Sequence, residues 1–269
     1  MINYKKCPLC ESNKIGSKFQ YTSKPEFETD FGFSKKDYYR EFWECKSCKH
    51  MMSIMDFDHK KFYEGEYSNS TYGKEINNIF EKIINLPKSK SDNEKRFLFL
   101  KRKADNFFDK NYKPKLLDVG SGLGIFPWRA KNEGWKITTL DPDKRHVEHI
   151  KKKLKLQCYN VDFLNFDIDE EYEIITFNKV LEHILHPQIM LEKAKKCLKN
   201  KGFIYMEVPS VEAAKLDFER EEFFIEHLHV FSEKSIKILI KNSGLKNLVT
   251  KFEIEPSGKY TLRAIAVKE

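Results

Sequence analysis

Nowhere in the 269 residues do about eighteen apolar residues run together, the length a helix needs to cross a bilayer. Nor does the amino-terminal segment Met1-Ile2-Asn3-Tyr4-Lys5-Lys6-Cys7 hold the apolar stretch of a signal peptide. A cytoplasmic, soluble protein with no membrane partner is expected, and in that compartment the six cysteines are thiols or metal ligands rather than disulfides. Internal repeats and low-complexity tracts are absent too, which leaves an ordinary globular chain. Long blocks of one charge are also missing. The net charge of +8, from 49 Lys and Arg against 41 Asp and Glu, would favour acidic partners such as nucleic acid or nucleotide-linked substrates. The lysines are scattered, however, and the densest run, Lys151 to Lys155, falls on the solvated face of an expected helix. Nucleic acid is therefore disfavoured as a partner. Hydrophobic residues at 40% suffice for one large α/β core with a small appendage.

The cysteines that are present are patterned. Cys7-Pro-Leu-Cys10 and Cys45-Lys-Ser-Cys48 have the knuckle spacing in which a tight turn aims two thiolates at one tetrahedral metal, so two knuckles make a closed four-cysteine zinc site. Hairpin-like material lies between them, Phe19 to Thr22 and Tyr38 to Glu44. A zinc-binding module over residues 1–60 is expected, with His50 a spare ligand beside the second knuckle. Cys158 and Cys197 stand alone in apolar surroundings and read as buried thiols. Residues 61–93 form a connector whose stretch from Phe62 to Gly73 is too aromatic for a mere linker. Tyr67 and Tyr72 in it are candidates to close over an acceptor.

Residues 116 to 124 read Leu-Leu-Asp-Val-Gly-Ser-Gly-Leu-Gly, an apolar strand running into Gly120, Gly122 and Gly124. Bare glycines let backbone approach a ligand where any Cβ would collide, and Asp141, at the end of the next expected strand, is placed to accept two ribose hydroxyls. A dinucleotide fingerprint needs Gly or Ala three positions beyond its second Gly, and here that place holds Ile125 or Pro127. A pyrophosphate is thereby disfavoured. Asp118, two residues before the first Gly, suits a ligand with a positive amino group.

From Lys115 onward strand and helix patterns alternate: strands Lys115 to Val119, Lys136 to Leu140, Gln157 to Val161, Glu173 to Phe177 and Phe203 to Val208, with helices from Ile125, Lys144 and Pro187. Alternation of this kind implies a parallel sheet covered on both faces. A helix from Ser232 to Asn242 and a hairpin turning at Pro256-Ser257-Gly258 close the chain.

The Asp118-x-Gly120-x-Gly122-x-Gly124 motif resembles the first motif of class I S-adenosylmethionine (SAM) methyltransferases, and the resemblance runs over roughly residues 94 to 267. It implies a Rossmann-like α/β sheet ending in an antiparallel hairpin, a methyltransferase domain over 94–269, and SAM as cofactor. Asp118 and the glycines would hold the methionine part and Asp141 the ribose. Asp162 and Phe163 would hold the adenine, and Asn178 would border the sulfonium. The segment Leu181-Glu182-His183-Ile184 resembles the family's Leu-Glu-His stretch beneath the sulfonium and puts His183 on the acceptor side. The acceptor itself is expected at Phe223 to Ser232, where Glu226, His227 and His229 sit among aromatics. His227 is the expected proton acceptor, Glu226 its orienting carboxylate and His229 an auxiliary.

Two knuckles, a Tyr-rich connector, a SAM core and Glu226-His227 together are similar to the zinc-containing sugar C-methyltransferases and their relatives in surface-glycan pathways. Phe224 stands where the C-methylating members have Tyr, and their large C-terminal domain has no counterpart in the sequence. Both departures leave O-methylation of a small acceptor, phosphorylated or nucleotide-linked, as the expectation for a capsule-type polysaccharide pathway. C-methylation of a sugar, and methylation of RNA or protein gripped by the zinc module, are the alternatives.

Overall fold

A computed structural model of the chain describes residues 4–31, 38–55, 75–167 and 169–268. Tyr67, Tyr72 and the whole aromatic stretch from Phe62 to Gly73 lie outside the described residues. No helix among the described residues is long and apolar enough to cross a membrane.

The first knuckle opens into β1 (Ile15–Tyr21), which pairs antiparallel with β2 (Arg40–Cys45), and β2 carries the second knuckle at its end. Directly after that knuckle the chain turns back as β3 (Met51–Met55), whose Met51, Met52, Ser53 and Met55 are buried. The expected hairpin is thus a three-strand meander. Its fourth strand comes from far along the chain: β9 (His229–Val230) lies opposite Met52 and Met51.

Helix α1 (Ile76–Ile84) and helix α2 (Asp92–Phe107) follow, and Ser91 caps α2 by accepting the Glu94 N–H at 3.2 Å. Phe97, Leu100 and Ala104 recur at helical spacing and pack α2 onto the main sheet. The alternation then runs β4 (Lys115–Val119), α3 (Ile125–Asn132), β5 (Lys136–Asp141), α4 (Lys144–His149), β6 (Gln157–Asn160), β7 (Tyr172–Asn178), α5 (Pro187–Cys197) and β8 (Leu198–Pro209). After β9 come α6 (Glu233–Asn242), β10 (Leu245–Ile254) and β11 (Tyr260–Lys268). Ser232 and Ser235 cap α6 reciprocally through side chain and backbone.

The seven strands of the main sheet are ordered β10-β11-β8-β7-β4-β5-β6. The five from β8 to β6 in that order are parallel, and β11 runs against both its neighbours. Leu116, Leu117, Ile174, Ile175, Phe203 and Ile204 are all fully buried, as strands covered on both faces require. This is the Rossmann-like methyltransferase sheet with a terminal antiparallel hairpin that the sequence implies. Strand β4 sits between β5 and β7, so the crevice above its carboxyl end is the topological switch point.

Candidate functional site

At that switch point the chain leaves β4 through the glycine loop. Gly120 takes φ +66°, and a Cβ there would lie 2.8 Å from Val180 Cγ2, so the position is shut by packing. Gly122, at φ +52°, meets nothing within 4 Å among the described residues, which leaves bare backbone facing the crevice. The loop is laced to β5: the N–H groups of Gly120 and Ser121 donate to Leu140 O at 3.0 and 3.1 Å, and Gly122 N–H donates to Asp141 Oδ2 at 2.7 Å. The other Asp141 oxygen accepts from Asp143 N–H at 2.8 Å and faces His146 Nδ1 at 3.1 Å. Asp141 therefore stands at the end of β5 with its orientation fixed, the position expected of a ribose acceptor.

Asp118 is buried beneath the loop. Its Oδ1 accepts from Thr176 Oγ1 at 2.5 Å and from Asn178 Nδ2 at 2.8 Å. Burial raises its pKa to about 6, against the pull of those hydrogen bonds. Thr176, which the sequence reading missed, is thus part of the support. Asn178 Oδ1 is buried without a partner among the described residues, a ready acceptor for a ligand N–H in the crevice. Asp162 caps the turn Phe163–Asn165 by accepting Leu164 N–H at 2.7 Å. Phe163 corrects the expectation: its ring is 2% exposed, edge-on to Phe177 at 5.8 Å, and belongs to the core rather than to a stacking platform.

Past Asn178 the chain makes a single turn, Leu181–His183, and the loop carrying the second histidine cluster folds back onto it. Leu228 N–H donates to Glu182 O at 2.8 Å. His183 Nδ1 meets Glu226 O at 2.9 Å and His227 Nδ1 meets Glu222 O at 3.1 Å. A carbonyl only accepts, so each Nδ1 carries the hydrogen and each Nε2 the lone pair. The two rings lie 4.8 Å apart at 61°. Burial lowers the pKa of His183 to about 4, and burial with the neighbouring His183 holds His227 well below the ordinary imidazole value, so both are neutral at pH 7. Glu182 is fully buried, and neither of its carboxylate oxygens has a partner among the described residues. One ligand-capable atom from each of Glu182, His183 and His227 lies within 4.8 Å of the others.

The division of labour differs from expectation in two places. Glu226 reaches the cluster through its backbone carbonyl, and Glu222 O, not the Glu226 carboxylate, orients His227. His229 is outside the cluster: it is fully buried in β9, with Nδ1 3.0 Å from His50 Nε2. This same contact takes His50 away from the thiols. Glu182 and Glu222 were missed because nothing in a sequence marks a glutamate as buried or a carbonyl as an imidazole partner.

The four knuckle thiols converge. Cys7 Sγ lies 3.6 Å from Cys48 Sγ and Cys10 Sγ 3.5 Å from Cys45 Sγ, with all four within 4.8 Å. Four thiolates about 2.3 Å from one zinc would stand roughly 3.8 Å apart, close to the two Sγ–Sγ distances of 3.6 and 3.5 Å, so this donor set suits a tetrahedral metal. The cluster docks along α6, from its cap to its last residue: Ser232 Oγ donates to Cys48 O at 2.5 Å, Lys234 Nζ to Ser47 O at 2.8 Å and Asn242 Nδ2 to Leu9 O at 2.8 Å.

The model of the family described as "Methyltransferase domain" matches residues 93–250, from the start of α2 into β10. The chain belongs to that family. Its core is a SAM-dependent methyltransferase domain, and the glycine loop, Asp141 and Asn178 lie inside the matched span. Among curated relatives, a ubiquinone biosynthesis O-methyltransferase of Actinobacillus pleuropneumoniae is 26% identical over 124 residues, 42% of this chain and 51% of that one. One from Coxiella burnetii is 28% identical over 97 residues, 34% and 41% of the two chains. The chain thus spans about half the length of the curated relatives it matches. Among solved structures, the 1,6-didemethyltoxoflavin-N1-methyltransferase of Burkholderia thailandensis superposes with a TM-score of 0.58 at 12% identity, over 83% of this chain and 97% of that one. Magnesium protoporphyrin IX methyltransferase of Synechocystis PCC 6803 gives 0.57 at 14% identity, over 76% and 98%. These two likenesses concern the fold.

Proposed function

We propose that the protein is a cytoplasmic methyltransferase that transfers the SAM methyl group to an oxygen of a small polar acceptor: a sugar, a nucleotide-linked sugar or a phosphate-type group of surface-polysaccharide assembly. The observation that carries this reading is the unprotonated Nε2 of His227, held by Glu222 O in a cluster one turn beyond Asn178. SAM supplies a methyl group on a sulfonium. Transfer of that methyl to the acceptor oxygen would leave the C–S electron pair on sulfur, and the hydroxyl proton would pass to His227 Nε2, whose ring Glu222 O orients. Positioning contributes up to about 7–11 kcal/mol to such a displacement and a base roughly two to four decades.

The naming of the matched relatives as O-methyltransferases agrees with transfer to oxygen. C-methylation of a sugar remains the second reading, supported by Glu226-His227 and weakened by Phe224, which offers no phenol at the place where the C-methylating enzymes have Tyr. Scattered lysines weaken the macromolecular reading, in which the module would grip RNA or protein. The four thiols are proposed to hold one structural zinc ion, and the cluster's fit to a tetrahedron supports it.

The test is turnover with methyl-labelled SAM against a panel of nucleotide-linked sugars and sugar phosphates. With the acceptor found, His227→Ala is expected to lower kcat by about two decades or more and to leave calorimetric SAM affinity within about twofold, because a base acts only in the transition state. Turnover near the wild-type rate would remove His227 from the chemistry.

A further inference from the structure

Lys179 follows Asn178 directly, where the chain leaves β7 at the rim of the crevice, and its backbone takes φ +58°. That is the left-handed region, which a residue with a Cβ occupies at a cost and only where the surrounding structure imposes it. Its N–H donates to Glu207 O at 2.9 Å and its Nζ to Thr261 Oγ1 at 2.9 Å. Thr261 is fully buried and lies opposite Pro209 at the end of β8, so the half-buried side chain runs along the carboxyl rim from β7 past β8 to β11. Neighbouring cations are held by carboxylates: Arg96 meets Glu207 at 2.8 Å, Arg220 meets Glu222 at 3.0 Å and Lys259 meets Glu221 at 2.9 Å. Lys179 has instead a neutral hydroxyl as its side-chain partner, and no carboxylate within ion-pair distance among the described residues.

The charge on Lys179 is felt by His183 and His227, both neutral at pH 7, and by Glu182, whose carboxyl burial lifts to about 8. None of the three supplies a negative counter-charge at neutral pH. We propose that Lys179 binds a phosphoryl group carried by the acceptor and thereby selects phosphorylated sugars over neutral ones. An ammonium has three N–H donors; Thr261 takes one, and two remain for phosphoryl oxygens. The tether to a buried hydroxyl keeps the charge in place before a ligand arrives, and a site partly shut from water attracts an anion more strongly than an open surface does. A phosphoryl group at Lys179 leaves a hydroxyl of the same molecule to His227 Nε2. That the bound phosphate belongs to the acceptor rests on the methyl-transfer reading; that Lys179 binds it does not.

The experiment titrates full-length protein, saturated with S-adenosylhomocysteine, with glucose, glucose 1-phosphate and UDP-glucose, followed by calorimetry and phosphorus NMR. Both phosphorylated probes are expected to bind and glucose is not; the tighter of the two tells a nucleotide-linked from a simple phosphoryl group. Lys179→Met should weaken the phosphorylated probes by about tenfold or more and leave S-adenosylhomocysteine affinity within about twofold, because one charged donor is lost. Lys179→Arg keeps the charge and should restore most of the binding, while Lys259→Met, at a cation already paired on the rim, should change it less than about threefold. Thermal unfolding reports that each variant is folded. Absence of binding by both phosphorylated probes overturns the proposal, as do equal affinities for glucose and glucose 1-phosphate, or for wild type and Lys179→Met. If the acceptor methylated through His227 carries no phosphoryl group, methyl transfer stands and the role of Lys179 falls. If the probes bind through Lys179 but no phosphorylated compound is methylated, the anion site stands and the acceptor reading falls.

Discussion

The two ends of the crevice are assembled by different means. At the cofactor end, Asp118, Gly120, Gly122 and Asp141 come from one β-α-β unit, and the loop closes on β5 through its own backbone N–H groups. At the end proposed for the acceptor, Glu182 and His183 meet His227 from a separate loop, and that loop is itself held by the amino-terminal module. Ile225 N–H donates to Glu28 Oε1 at 2.7 Å and Ser53 N–H to Leu228 O at 2.9 Å. Glu28 in turn is fixed by Arg40 at 2.6 Å in a fully buried pair. A locally built end survives damage elsewhere, whereas a remotely built end inherits every fault of its support.

Unfolding the support is the strongest way to separate the two. Cys45→Ser breaks the four-thiol cluster, where binding of the proposed zinc would itself be folding energy, and it is expected to lower turnover by roughly a hundredfold or more while SAM affinity by calorimetry stays within about twofold. Equal loss of both would erase the contrast. From the other side, Asp141→Ala removes a charged acceptor and is expected to weaken SAM binding by about 1–3 kcal/mol, roughly five- to 150-fold, with the module and its metal content unchanged. Calorimetry on the purified variant checks this, and unaltered affinity would take Asp141 out of the site.

A subtler discriminant is pH. Asp118, raised from 3.8 to about 6 by burial, binds its proton more tightly in the folded chain than in the unfolded one. Its stabilising contribution is therefore complete below about pH 4 and lost as pH rises through about 6, an effect on the order of 3 kcal/mol. Thermal unfolding across that window should show the loss, and Asp118→Asn should flatten it. Cofactor binding runs the opposite way: a ligand amine favours the carboxylate, so SAM affinity should fall up to about tenfold between pH 7 and 5. The smallest effect is expected at Phe163→Leu. Because the ring is core, SAM affinity should move less than about twofold and stability by about 1 kcal/mol, whereas a tenfold affinity loss would restore the stacking role.

The same contrast decides what could be read beforehand. The β4 loop, Asp141 and the strand-helix alternation are legible because glycine spacing and apolar period are local signals, and those elements fall within a few residues of expectation. The paired knuckles were legible for the same reason. Phe163 misled because a ring beside a carboxylate has the same composition in a core as on a platform, and Asp162 spends its side chain on capping. Glu226 misled because adjacency to His227 in sequence gives no adjacency of side chains; the imidazole is served by a carbonyl five residues back. β9 is too short to carry a period and exists only because β3 offers it an edge.

Those two residues of β9 also bear on how the protein can be recombined. The amino-terminal sheet borrows its fourth strand from residues 229–230, and β9 is followed at once by Phe231, bridged to Ser210 beside β8. The module is therefore not a cassette. A chimera that imports residues 4–55 from a relative must import the segment from Glu222 to Ser232 with it, since the donor's knuckles, Glu28 and β3 are matched to that segment and not to the recipient's. Inheritance of acceptor preference should follow this discontinuous pair of segments as one unit, while the stretch from β4 to β6 can be exchanged alone.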